Sequence, residues 1–270
     1  MINTNISIGQ YIPGNSIIHR ADPRTKIILS VVFMAVVFLV HSFWAFVATV
    51  LFTILAVIIS GVPLKYTLKG LKPLLFIIIF SAVLNMITTK GTPIADFVPL
   101  KYITVEGLIL SLKLTVRLAV IIISGSLLTF TTTPILLTDG IEKLLTPLKV
   151  IGVPAHELAM MMSIALRFIP TLLEETDKIM KAQAARGADF DTGNLLQRAK
   201  SFVPVLVPLF VSAFRRADEL ATAMESRCYR GGKGRTRLRQ LRFTEDDMKI
   251  ALTTTVFFAL LLINDFVFIL

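Results

Sequence analysis

Long apolar runs alternate with short basic stretches along this chain. Residues 27–40 are almost wholly aliphatic or β-branched, and residues 43–60 follow after only His41 and Ser42. Further apolar runs occupy 73–87, 108–130 and 250–263, the last continuing towards Leu270 past Asn264 and Asp265, where Asp265 is expected to mark the outer end of that span. About 20 apolar residues cross the hydrocarbon of a bilayer, so the pattern predicts five spans, with 27–40 the shortest. Trp44 sits where an interfacial aromatic belongs. A single re-entrant hairpin over 27–60 is the weaker alternative. Residues 1–24 are polar and broken by Pro13, Gly14 and Pro23, which is not the pattern of a cleaved leader.

The basic residues predict an orientation. Arg20, Arg24 and Lys26 precede the first run, and Lys65, Lys69 and Lys72 follow the second. The turn between those two runs has none. Lys90 and Lys101, after the third run, are offset by Asp96 and Glu106, and most of the remaining basic residues fall between the fourth and fifth. The N-terminus and residues 131–249 are therefore expected in the cytoplasm, and the C-terminus outside.

Residues 131–249 do not read as a polar globular domain. Pro134 follows Thr133 as a first helical residue would, and Leu137, Ile141, Leu144, Leu145 and Leu148 recur at helical spacing. Such a helix either lies on the membrane surface or packs against its successor. Two long helices are expected next, at about 155–186 and 195–228, each apolar in its first half and polar and alanine-rich in its second. Pro170 in the first, and Pro204 and Pro208 in the second, are expected to kink or break them.

The ends of these two segments match. An offset of 41 residues (227 − 186) aligns Asp177 with Asp218, Ala182 with Ala223 and Arg186 with Arg227. Each arginine stands between small residues: Ala185 and Gly187 in the first case, Ser226 and Cys228 in the second. Gly187, and then Gly231 and Gly232, are the expected C-terminal caps. Two readings stand side by side. A cation at a helix C-terminus is favoured by the macrodipole at about 0.3–1 kcal/mol. Alternatively, small flanks let a helix tip enter a groove, where the guanidinium pairs bidentately with a carboxylate.

With these motifs go Pro134-Ile-Leu-Leu, Leu144-Leu-Thr-Pro-Leu-Lys, Gly152-Val-Pro-Ala-His-Glu-Leu-Ala and Ala165-Leu-Arg-Phe-Ile-Pro. Together they resemble the transmembrane T component of energy-coupling factor (ECF) transporters, importers of vitamins and metals in the ATP-binding-cassette class. The resemblance covers nearly the whole chain. It implies an all-α, polytopic membrane protein with about five transmembrane helices and long cytoplasmic coupling helices. The divisions are a membrane region over 1–131, a coupling module over 132–248 and a last span over 249–270. It implies two ABC-type ATPase partners, docked by Arg186 and Arg227 between Ala185, Gly187, Ser226 and Cys228. It also implies a substrate-binding S component resting on the apolar parts of the coupling helices. The second motif, Ser-Arg-Cys, departs from the Ala-Arg-Gly the family often carries at both sites, which leaves open which motif meets which ATPase.

Composition agrees with a membrane scaffold. Hydrophobic residues make up 54% of the 270, above the roughly 45–50% of soluble domains. The net charge of +10 shows that the charges are segregated from the apolar runs. One cysteine, Cys228, excludes a disulfide framework. His19, His41 and His156 are scattered, and Gly231-Gly232-Lys233 lacks the spacing of a phosphate-binding loop. No catalytic residue, metal or bound cofactor is expected on this chain; ATP and Mg belong to the partner ATPases. The alternative function is a stand-alone carrier or channel using Lys113 and Arg117, one helical turn apart inside the fourth run; the stronger reading of these two long side chains is that they snorkel to the outer surface or pair within the bundle. A third is a nucleic-acid binder using Arg230, Lys233, Arg235, Arg237, Arg239 and Arg242. Contact of that basic cluster with anionic lipid is the stronger reading, and no nucleic-acid partner is expected.

Overall fold

The computed structural model describes residues 11–92, 104–190, 192, 194–232, 241 and 243–269. Among these residues every extended element is helical. In chain order they are α1 (Ile17–Arg20), α2 (Pro23–Leu39), α3 (Phe43–Ser60), α4 (Leu64–Leu71), α5 (Leu75–Thr88), α6 (Val105–Thr131), α7 (Pro134–Leu145), α8 (Ala155–Ala185), α9 (Leu195–Ser226) and α10 (Glu245–Ile269). The described residues divide into two compact units: those up to residue 140 with those from 241 on, and those between 141 and 240.

The first unit packs α2, α3, α6 and α10 around one apolar core. Phe33, Val36 and Val37 of α2, with Val40 just after it, meet Ala45 of α3, Val120 of α6, and Phe258 and Leu261 of α10. Phe33 stacks on Phe258 with ring centroids 5.7 Å apart, and Phe52 on Phe257 at 4.6 Å. α4, a short 3-10 turn and α5 run on from Leu64 to Thr88, with α5 laid along α6. No residue of α5 is buried, although the helix is almost entirely aliphatic and aromatic. Such a helix is at home in lipid or beneath another membrane protein.

Among the described residues five helices are long and apolar enough to cross a membrane: α3, α4 with α5, α6, α8 and α10. The number matches the expectation, but the set differs. α2 has 17 residues, somewhat short of the roughly 20 that span hydrocarbon. α8 joins on length and composition as the least apolar of the five. Its charged part, from Glu174 to Lys181, lies beyond its apolar half.

Both polar ends of this bundle are closed by side chains. At one end, Lys26 Nζ donates to the Thr131 carbonyl, the last of α6, at 2.9 Å and to the His19 carbonyl of α1 at 3.1 Å. Asp22 caps α2 by accepting from Arg24 N–H at 2.8 Å, and Asp247 accepts from Asp22 N–H at 2.6 Å and from Thr244 N–H at 2.8 Å. The Arg24 guanidinium lies 4.3 Å above the Phe243 ring.

At the other end, the three-residue turn between α2 and α3 is clamped from both sides. Arg117 donates to the Val40 carbonyl and Lys113 to that of His41, at the C-terminus of α2. Asp265 of α10 accepts from the N–H groups of His41, at 3.0 Å, and Ser42, at the N-terminus of α3. Cations therefore meet the negative helix end and a carboxylate the positive one. This bears on two expectations. Asp265 is buried, with 4% of its surface exposed, and is more than the outer end of a span. Lys113 and Arg117 are engaged on backbone carbonyls within the bundle, in line with the stronger of the two readings of these side chains and not with an open polar path.

In the second unit, α8 and α9 pack side by side. α8 runs unbroken through Pro170, and α9 through Pro204 and Pro208. The capping box at the start of α9 pairs Asn194 with Gln197. The residues between α7 and α8 form a 3-10 turn, Thr146–Ile151, that ends on Gly152 in the left-handed conformation at φ 91°.

Candidate functional site

The packing of α8 on α9 has a definite sense. Met160 and Ile164 share a cavity with Leu220 and Met224, Glu175 meets Arg216, and Gln183 reaches Pro204. As the residue number rises on one helix it falls on the other, so the pair is antiparallel. The two arginines consequently stand at opposite ends of it.

Each arginine occupies the same local structure. α8 ends at Ala185, with Arg186 as the capping residue at φ −89°, ψ 7°. Gly187 N–H then donates to the Ala184 carbonyl at 2.9 Å and Ala188 N–H to that of Gln183 at 3.0 Å. α9 ends at Ser226, with Arg227 at φ −91°, ψ 14°. Cys228 N–H donates to the Glu225 carbonyl at 2.8 Å and Tyr229 N–H to that of Met224 at 3.0 Å. Both are Schellman turns, bond for bond.

This geometry explains the small residue after each arginine. The turn needs a left-handed residue there, and Gly187 supplies it at φ 89°. At the second tip the residue is Cys228, at φ 56°, and among the described residues no other non-glycine has positive φ. The expected caps Gly231 and Gly232 are thus corrected to Cys228, because the turn closes one residue after the arginine. The geometry also bears on the two readings of the arginines. The last helical carbonyls are satisfied by backbone N–H groups, so neither guanidinium is needed as a cap. Arg186 and Arg227 are both exposed. Ala185 and Ser226 are exposed as well, and the Ser226 hydroxyl is turned back on the Ala223 carbonyl at 3.0 Å.

A cavity of about 430 Å³ opens beside the second tip, lined by Met160, Ile164, Leu220 and Met224 and rimmed by Arg227 and Arg230. The rest of the basic cluster, Lys233, Arg235, Arg237, Arg239 and Arg242, lies outside the described residues. Among the described residues no group of three His, Cys, Asp or Glu could hold a metal ion.

The comparisons with known proteins fit this arrangement. A family model described as the cobalt transport protein CbiQ matches residues 14–238. The chain is 58% identical over 264 residues to the energy-coupling factor transporter transmembrane protein EcfT of Ruminiclostridium cellulolyticum, covering 98% of each. The chain belongs to this family. The EcfT protein of Thermosediminibacter oceani is 59% identical over 249 residues, covering 92% of this chain and 94% of the relative. That of Bacillus subtilis is 49% identical over 254 residues, covering 94% and 96%. The chain is therefore a membrane component of an ECF transporter, and the resemblance read from its motifs is to the same family.

Three contacts of this EcfT-type component were not singled out from the sequence. Arg216 donates to Glu175 at 3.0 Å. A hydrogen bond from the Ser212 hydroxyl, followed by the charge of Arg216, holds the Glu175 carboxyl below the usual carboxylate range against the opposing effect of burial. Gln183 Nε2 donates to the Pro204 carbonyl at 3.4 Å. His156 Nδ1 lies 3.2 Å from Glu142 Oε1. The 41-residue offset contains the first of these, since Glu175 and Arg216 are separated by that same interval. A paired acid and base at equivalent repeat positions was the available signal.

Proposed function

We propose that this chain is the scaffold through which two cassette ATPases drive a separate substrate-binding membrane protein. The observation that carries the reading is the pair of matched arginine tips at opposite ends of one antiparallel helix pair. Each tip lies 11 residues beyond the Glu175–Arg216 contact (186 − 175 and 227 − 216). At 1.5 Å per residue that is about 16 Å on each side, or about 33 Å between tips. A single docking groove does not need two such tips; two subunits moving against each other do.

In this reading Arg186 and Arg227 enter grooves on the two ATPases, with Ala185, Gly187, Ser226 and Cys228 allowing close approach. ATP and Mg are bound and hydrolysed on those partners, and this chain is not catalytic. The N-terminus and the coupling helices face the cytoplasm. An S component covers the exposed apolar surface of α9, where Val203, Leu206, Val207, Phe210, Val211 and Phe214 stand in the open. A patch of this kind marks a protein or membrane contact. The imported substrate is a vitamin or other micronutrient chosen by the S component. The carrier reading has lost its motive, because Lys113 and Arg117 already serve the turn between α2 and α3.

The test is to change Arg186 and Arg227 to alanine, singly and together, and to follow ATPase copurification, hydrolysis and uptake. Weaker association or hydrolysis without uptake is expected, with helix content unchanged. Full coupled uptake by the double variant, or uptake by this chain alone in liposomes, overturns the proposal.

A further inference from the structure

Proline inside a helix deprives the carbonyl four residues earlier of its donor. For Pro208 that carbonyl belongs to Pro204, at the middle of α9. The side-chain amide of Gln183, on α8, donates to it at 3.4 Å. Gln183 has a second task. Its own carbonyl accepts from Arg186 N–H and Ala188 N–H, each at 3.0 Å, and so closes the turn that presents Arg186. One residue thus ties the first tip, through its backbone, to the exposed carbonyl of the facing helix, through its side chain.

The equivalent residue of the other tip is Met224. Its carbonyl plays the same part, accepting from Arg227 N–H at 3.2 Å and Tyr229 N–H at 3.0 Å. Its side chain differs in kind. A thioether donates no hydrogen bond, and Met224 lies with Met160 and Ile164 along an apolar cavity wall. The two tips share a cap and differ in how they are held.

We propose that Gln183 is a positioning residue that locks the Arg186 tip to α9 at the carbonyl freed by Pro208, while the Arg227 tip rests on an adaptable methionine surface. The two arms are then mechanically unequal: the Arg186 arm moves with α9 as one piece, and the Arg227 arm gives. This deepens the docking reading and rests on it.

The test uses four forms of the full chain. Gln183→Leu removes the donor and leaves an apolar side chain. Gln183→Lys keeps a donor. Pro208→Ala returns an in-helix donor to the Pro204 carbonyl, and the fourth form combines it with Gln183→Leu. Two readouts are followed. One is the width of the distance distribution between spin labels at the exposed positions Lys178 and Lys200, in a Cys228→Ser background without partners. The other is uptake per ATP hydrolysed by the assembled transporter.

Gln183→Leu is expected to broaden the distribution and to lower uptake per ATP about fivefold, the equilibrium equivalent of one neutral hydrogen bond. Gln183→Lys should match the parent. With Pro208→Ala in place, Gln183→Leu should change nothing further. If Gln183→Leu leaves the width unaltered, or still broadens it when residue 208 is alanine, the proposal is overturned. If the parent complex itself shows no coupling between hydrolysis and uptake, the docking reading falls, while the label widths still decide the role of Gln183.

Discussion

Arg216 donates to Glu175 at 3.0 Å, and the two residues stand 41 apart, at equivalent positions of the two coupling helices. A contact between equivalent positions is what a local two-fold relation produces. The flanking contacts follow it to within one residue. Gln183 against Pro204 becomes, on adding and subtracting 41, Met224 against position 163, and Met224 does share a cavity with Ile164. The pair therefore marks the pivot of the hairpin. An exposed ion pair contributes only about 0.2–1 kcal/mol, so its worth lies in register. Charge reversal at either position is expected to destabilise the helix pair by about 1 kcal/mol. The double reversal, Glu175→Arg with Arg216→Glu, should restore most of it. Thermal unfolding of all four forms measures the cycle; additive losses would deny the pairing.

Acid should loosen the same contact. The Glu175 carboxyl is held below its ordinary value of 4.5 by the Ser212 hydroxyl and Arg216. A carboxylate with a lowered folded pKa contributes stability above its unfolded pKa and loses it as the pH falls through the folded one. The distance between labels on α8 and α9 is therefore expected to broaden as the pH drops below the carboxylate range. Glu175→Gln should show the broad distribution at neutral pH and no further change on acidification.

The second tip carries backbone strain that the first avoids. A side chain in the left-handed region costs about 1–2 kcal/mol relative to glycine, and Cys228 sits there at φ 56° while Gly187 fills the equivalent place. Cys228→Gly is expected to stabilise the tip by about 1 kcal/mol with docking intact. Cys228→Val, branched at Cβ, should destabilise it, and Gly187→Ala should cost about 1–2 kcal/mol. Hydrogen exchange at Tyr229 N–H and Ala188 N–H, the closing bonds of the two turns, reports each effect locally.

Much of this was legible in the sequence because period and repetition are local properties. The boundaries of α8 and α9, and the matched arginines at their ends, follow from apolar spacing and from one offset. The rest depends on what packs on what. Nothing in the order of residues shows that Asp265 lies against His41, more than two hundred positions away, so it read as a span end. The carbonyl partners of Lys113 and Arg117 were hidden for the same reason. The cap at Cys228 was misplaced onto Gly231 because glycine is the usual signal for a left-handed residue, and cysteine gives none. α8 entered the set of membrane-length helices because composition alone does not separate a coupling helix from a span.

The clamp on the turn between α2 and α3 gives the sharpest contrast between the two functional readings. Asp265 is buried and accepts from two N–H groups at the start of α3. Removing it with Asp265→Ala leaves both donors unpaired, at a cost of about 2–3 kcal/mol. Asp265→Asn keeps an accepting oxygen and should lose about half as much. Lys113→Met and Arg117→Met each leave a carbonyl at the end of α2 without its cation, costing about 1 kcal/mol. These losses concern folding alone. Protein that survives purification should still support uptake per ATP at the parent level. A carrier built on Lys113 and Arg117 would show the reverse, with stability kept and transport abolished. Thermal unfolding of the purified chain, measured beside uptake by the assembled complex, separates the two outcomes in one set of variants.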